Sequence, residues 1–267
     1  MLYSTCAIEG SRNRSKAAAK IAEMRAAEAR RQRRQRLLIG AGAVVVVAAL
    51  AVGIALAVGG GGGSATSGGG STPKLKLASL STLGALRPAP SPGPAGPEGV
   101  PVPAAAPLTG TTTKATGQKV DGISCQTNEQ TIFHIHAHLT VFVNGSPRQV
   151  PAGIGIPSAR SQNTAQGSFV DGGKCFYWLH THAADGIVHI ESPVQRTYTL
   201  GDFFDEWGQP LGPGQVGPDK GHVTVIYNGR LYQGNPRDVP LTKHAQIQLE
   251  VNTPLVAPEK IVWPSGL

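Results

Sequence analysis

Residues 118–267 of this 267-residue chain predict a strand-rich α+β domain: an antiparallel or mixed sheet with one short helix, β-grasp-like, with a β-sandwich as the alternative. Three observations carry that expectation. Long runs alternate apolar and polar residues, two Asn-Gly pairs sit where hairpin turns belong, and a single stretch has the marks of a helix.

The elements follow in chain order. "TIFHIHAHLTVFV" (131–143) alternates strictly and runs into Asn144-Gly145, a two-residue hairpin signal leading to "SPRQV". "CFYWLHTHAADGIVHIESP" (175–193) reads as strand, tight loop and strand, with "AADG" as the turn. "TLGDFFDEWG" (199–208) is the helix, with acidic residues early and Gly208 placed as its stop. "VTVIYNGRLYQ" (223–233) repeats the hairpin device at Asn228-Gly229, and "HAQIQLEV" (244–251) alternates again. The segments "LTVFVNGSPRQVP" and "VTVIYNGRLYQGNPRDVP" look alike, a weak sign of an internal repeat.

Side-chain parity makes the first two strands chemically unusual. Successive residues of a strand point to opposite faces. His134, His136 and His138 therefore share one side, and Phe133, Ile135, Ala137, Leu139, Val141 and Val143 share the other, which is the core side. In the second segment two registers are open. A four-residue loop at Ala183–Gly186 sets His180 opposite His189, and a tighter turn sets His182 opposite His189 and His180 opposite Glu191. Either way His180, His182, His189 and Glu191 lie on one side, and Leu179, Val188 and Ile190 on the other. Two separate segments thus sort imidazole to one face and aliphatic groups to the other.

Imidazole and carboxylate gathered on one face are the donors of a transition-metal site, with copper or zinc the expected ions outside a cell. The candidate metal residues are His134, His136, His138, His180, His182, His189 and Glu191. The outer histidines of a straight HxHxH lie about 13 Å apart, too far for one ion. The preferred set is therefore His180 and His182 with His189 or a first-strand histidine, and Glu191 or Asp185 as the acid. Phe176 and Trp178 share the parity of His180 and His182 and predict an aromatic rim. His222 and His244 fall outside both groups and read as surface or edge residues. The competing reading of the same histidines is a structural hydrogen-bond network in a non-catalytic envelope module. An enzyme would need an open coordination position and a base, for which Glu191 is the candidate; no nucleophile-elbow, P-loop or dinucleotide motif is present.

Upstream, the chain reads as an anchor and a tether. The formal charge of +8 suggests nucleic acid until it is located. Residues 1–36 hold ten Lys/Arg against three Glu, and the remainder holds 14 basic and 13 acidic groups, so the basicity belongs to a tail and no nucleic-acid partner is expected. Residues 37–58 are an uncharged apolar run of 22 residues, enough for a helix to cross a bilayer. The preceding positive charge orients the arm towards the cytoplasm and the C-terminal domain outside, a single-pass plasma-membrane protein. Residues 59–117 are Gly/Ser-rich and then Pro-rich, too poor in apolar groups to fold, and as coil would reach about 40–45 Å. Such a tether would present the domain to cell-wall polymer or to another envelope protein. Outside the cell, Cys125 and Cys175 are expected to pair as a structural disulfide.

The series "HIHAHL…VFVNG…VPAGIGI…WLHTHAADGIVHIESP…TLGDFFDEWG" resembles a group of uncharacterised bacterial membrane-anchored or secreted proteins, over about residues 125–252. The resemblance implies a shared extracytoplasmic domain and no particular activity. His180, His182 and Asp185 also resemble the first motif of a cupin, in which HxH is followed by an acid. The spacing from Gly173 differs by one residue, and the acid is Asp where the cupin motif has Glu.

Overall fold

The structure, a computed structural model, describes residues 75–110, 113 and 115–267. The basic arm, the expected span at 37–58 and the Gly/Ser run lie outside the described residues. Among those described, no helix is long and apolar enough to cross a membrane.

The strands are β1 (Leu77–Ala78), β2 (Phe133–Val143), β3 (Ser146–Arg148), β4 (Arg160–Thr164), β5 (Gly167–Gly172), β6 (Leu179–His180), β7 (Ile187–Ser192), β8 (Leu211–Gly212), β9 (Gln215–Val216), β10 (Asp219–Lys220), β11 (Val223–Tyr227), β12 (Arg230–Tyr232) and β13 (Gln246–Val251). Among the described residues one α-helix, α1 (Leu200–Trp207), lies between β7 and β8. The main sheet runs β1-β12-β11-β13-β2-β7-β6, with β3 paired to β2. Its central pair, β13 and β2, is parallel, and its other pairs are antiparallel. The strand-rich mixed sheet with a helix is the α+β arrangement expected from the sequence.

Local chemistry explains the connections. Both Asn-Gly pairs form two-residue hairpin turns, with Asn144 and Gly145 at φ 51° and 72° and Asn228 and Gly229 at 49° and 73°. Positive φ at both central positions gives the twist a tight hairpin needs, and Asn and Gly tolerate it. The Thr199 side chain caps α1 by accepting from the Asp202 amide while the Asp202 carboxylate accepts from the Thr199 amide, and left-handed Gly208 ends the helix.

Phe203, Phe204 and Trp207 of α1 are buried in the same core cluster as Leu139, Val141, Val188 and Ile190, the aliphatic face predicted from β2 and β7, and Leu249 of β13. The opposite face is covered as well, and here the structure departs from the sequence reading. From Leu75 onward the linker is not a loose spacer. Leu77 and Ala78 pair with Tyr232 and Leu231, Arg87 N–H donates to the Leu255 carbonyl and accepts from Ala257 N–H, and Leu108 N–H donates to the Gln149 carbonyl while Gln149 N–H donates to that of Ala106. Val100, Glu98 and Leu108 are buried. A Pro-rich segment has no core of its own, yet it folds when an existing sheet and the C-terminal tail supply partners for its backbone. The disulfide joins Cys125 to Cys175 as expected.

Candidate metal centre

Strand pairing assembles the site on the face away from α1. In β2 and β7, His134 lies opposite Glu191 and His136 opposite His189. In β6 and β7, His180 lies opposite His189, so the four-residue Ala183–Gly186 loop is the register adopted. His182 follows two residues after His180, beyond the end of β6. The loop before it packs tightly: Gly155, at φ 71°, lies where a Cβ would stand 2.2 Å from the Leu179 carbonyl and 3.0 Å from the His180 Cβ. Only glycine lets "AGIGI" lie against the histidine strand.

The donors form two overlapping groups, His134–His136–His189–Glu191 and His180–His182–His189–Glu191, in each of which the donor atoms lie within 4.8 Å of one another. In the first, His134 Nε2 is 2.9 Å from His136 Nε2 and 3.1 Å from Glu191 Oε1. His189 Nδ1 is 3.2 Å from His136 Nε2 and 3.4 Å from Glu191 Oε1. In the second, His180 Nε2 is 3.1 Å from His182 Nε2 and 3.9 Å from Glu191 Oε2. These side chains are nearly sealed from solvent, His134 at 5% and Glu191 at 2% exposure.

Outer hydrogen bonds orient the rings. His180 Nδ1–H donates to the Tyr177 carbonyl at 2.8 Å, and His182 Nδ1–H to the Val170 carbonyl at 2.6 Å. Both rings therefore turn an Nε2 lone pair inward, the tautomer that a metal needs. His189 Nε2–H donates to Glu98 Oε1 at 2.8 Å, leaving Nδ1 facing the other imidazoles. Phe169 stacks on His182, with ring centres 5.0 Å apart.

Electrostatics divide the rings. Burial lowers His180 to about 3, lowers His182, and with the neighbouring His189 and His134 holds His136 well below the usual imidazole range. These three are neutral donors. Burial also opposes charge on His189, but the Glu98 and Glu191 carboxylates outweigh it and raise that ring well above its ordinary value. Burial alone would raise Glu191; hydrogen bonds from His134 and His189 hold it well below the carboxylate range instead.

Six of the seven residues read from the sequence come together: His134, His136, His180, His182, His189 and Glu191. His138 does not. It has the right parity but lies one strand repeat past His136, opposite Ile187, and its Nε2–H donates to the Asp185 carbonyl at 2.8 Å. Burial lowers it to about 4. Asp185, the alternative acid, belongs to neither donor group; Glu191 belongs to both. Of the expected aromatic rim, Phe176 meets His180 edge-on at 5.7 Å, whereas Trp178 packs against Tyr198 and donates to Gln126. His222 is exposed, and His244 stacks on Trp263.

Sequence reasoning missed Glu98 and Glu129. Glu98 is the sole acidic residue of 59–117, set among prolines, and that isolation was the available signal. Glu129 Oε1 lies 3.5 Å from His182 Nε2, with its side chain 36% exposed. No known protein family, curated protein or solved structure matches this chain.

Proposed function

We propose that this protein is a single-pass, membrane-anchored protein whose extracytoplasmic domain binds a transition-metal ion, copper or zinc, through clustered histidines. One observation carries the metal reading: five imidazoles and Glu191, from β2, β7 and the end of β6, bring buried donor atoms together in two overlapping groups, each within 4.8 Å. Buried donors of this kind, with outer hydrogen bonds fixing the inward nitrogens, match what imidazole-binding ions require.

The sheet order supports a β-grasp fold for the domain. Counting only β2, β7, β11, β12 and β13, the strands run second, first, fifth, third, fourth, with the first and fifth parallel and the helix between the second and third. The anchor, the orientation and kinship with the membrane-anchored HxHxH and WLHTH…VHIE proteins rest on the sequence patterns. A wall polymer or another envelope protein is the partner such an arrangement would meet.

Elemental analysis of the purified full-length chain tests the metal reading. A stoichiometric metal that is lost in His180→Ala/His182→Ala supports it. Absence of metal, with unchanged stability in the variant and no uptake from added Zn(II) or Cu(II), removes it. The second reading, a structural histidine network, draws on the direct contacts between imidazoles, such as the 2.9 Å between His134 and His136. The same measurement decides between the two.

A further inference from the structure

We infer that the centre holds two ions bridged by the Glu191 carboxylate, an inference that rests on the metal-binding reading above. The two donor groups overlap only at His189 and Glu191: His134 and His136 fall in one, His180 and His182 in the other, and the five imidazoles do not form a single set. Glu191 points a different oxygen at each. Oε1 faces His134 at 3.1 Å and His189 at 3.4 Å, and Oε2 faces His180 at 3.9 Å. A carboxylate between two donor clusters, with one oxygen towards each, is the disposition of a bridging ligand.

His189 belongs to both groups but can serve only one. Its Nε2 is engaged by Glu98 at 2.8 Å, and its Nδ1 is 3.2 Å from His136 Nε2. Its remaining donor therefore completes the first group: His134, His136, His189 and Glu191 Oε1. Four of the six separations among those atoms run from 2.9 to 3.4 Å. Donors about 2.0–2.1 Å from a tetrahedral ion stand about 3.3–3.4 Å apart. All four donor atoms lie within 4.8 Å of one another, so the first group closes around an ion on rearrangement of its side chains.

The second group is left with three donors, His180, His182 and Glu191 Oε2. Three protein ligands with a fourth position outside them are the pattern of an exchangeable or reactive site, and four are that of a closed one. Glu129, beside His182 and much more exposed than the other members, marks the side from which solvent and ions reach that position. Glu98, Glu129 and Glu191 offset three of the four positive charges of two dications held among imidazoles.

Equilibrium dialysis of the full-length chain against Zn(II) alone, with metal counted by mass spectrometry, tests the inference. Two ions per chain are expected, falling to one in His134→Gln/His136→Gln and to one in His180→Gln/His182→Gln, with folding of each variant checked by circular dichroism. One ion in the wild type overturns the two-ion centre and leaves the metal-binding reading standing; none overturns both. Loss of all metal from a folded double variant also overturns it, because the donors would then serve one shared ion. Loading with Cu(II) supplies a readout of the bridge. Paired ions give a half-field resonance and a spin count below one per copper, both lost in Glu191→Gln. A full spin per copper in a two-copper wild type overturns the bridge.

Discussion

Glu98 offers the sharpest perturbation, because it reaches the centre from a segment distant in sequence. Its side chain is 3% exposed and its carboxylate accepts from His189 Nε2–H at 2.8 Å. At that distance, with an effective dielectric near 20, the attraction between the two charges is about 6 kcal/mol before desolvation is subtracted. Removing one partner of a buried pair costs about 3–5 kcal/mol, since the other charge is left uncompensated. Glu98→Ala is therefore expected to lose about that much stability in urea unfolding. Glu98→Gln keeps an acceptor for His189 Nε2–H but gives up the charge. It should weaken Zn(II) binding by about 10–100-fold, the usual effect of losing an outer-shell carboxylate, or about 1.4–2.7 kcal/mol. Isothermal titration of the full-length chain with Zn(II) measures this directly. The number of ions should stay the same, because Glu98 orients a donor without being one. A Glu98→Gln chain that binds Zn(II) within about twofold of wild type would refute the assignment of His189 Nδ1 as the inward donor.

Three further outcomes follow from the same geometry. His138→Ala should leave the ion count unchanged and cost about 1–3 kcal/mol, because the buried Asp185 carbonyl loses its donor; loss of an ion on dialysis would return His138 to the centre. Glu206 is fully buried in α1 and raised well above the glutamate range, by burial first and then by Asp202 and Asp121. The folded chain thus holds that proton more tightly than the unfolded one, so stability declines as pH rises above about 4.5, by up to about 1.4 kcal/mol per unit. Glu206→Gln should abolish that decline and gain over wild type with rising pH, and parallel pH profiles in urea unfolding would contradict this. Replacing both Cys125 and Cys175 by serine frees a loop with a sequence separation of 50 and should cost about 4 kcal/mol; a cost under about 1 kcal/mol in urea unfolding would mean that the linkage scarcely restrains the unfolded chain.

Much of this was legible in the sequence, for reasons that also mark the limit. Parity is a strict property of strands, so "HIHAHLTVFV" and "LHTHAADGIVHIE" declared their imidazole and aliphatic faces at once. The Asn-Gly turns and the Thr199–Gly208 helix signals are local and were equally readable. Parity gives a face but not a distance. It placed His138 with His134 and His136, whereas the strand repeat and the Asp185 carbonyl took it elsewhere. Register was also undetermined, since both candidate turns kept the same residues on the same side. The Pro-rich segment was misread because a composition argument asks whether a stretch can bury its own core. Residues 75–110 instead borrow partners from Gln149, Tyr232 and Leu255, and deliver Glu98 to a site assembled by others.

That borrowing fixes where a tether from the amino end would meet the domain. With Leu77 already paired to Tyr232, the chain between Val58 and Leu75 bridges at most about 55–60 Å when fully extended. Any pull arriving from the amino end meets the β1–β12 pairing first, and then the backbone bonds between Arg87 and the Leu255–Ala257 tail. Glu98 lies beyond both. A carboxylate that sets the orientation of a buried imidazole is useful only if its position is fixed to a fraction of an ångström. Two successive attachments between Leu75 and Glu98 would isolate the centre from any tension that arrives from the amino end.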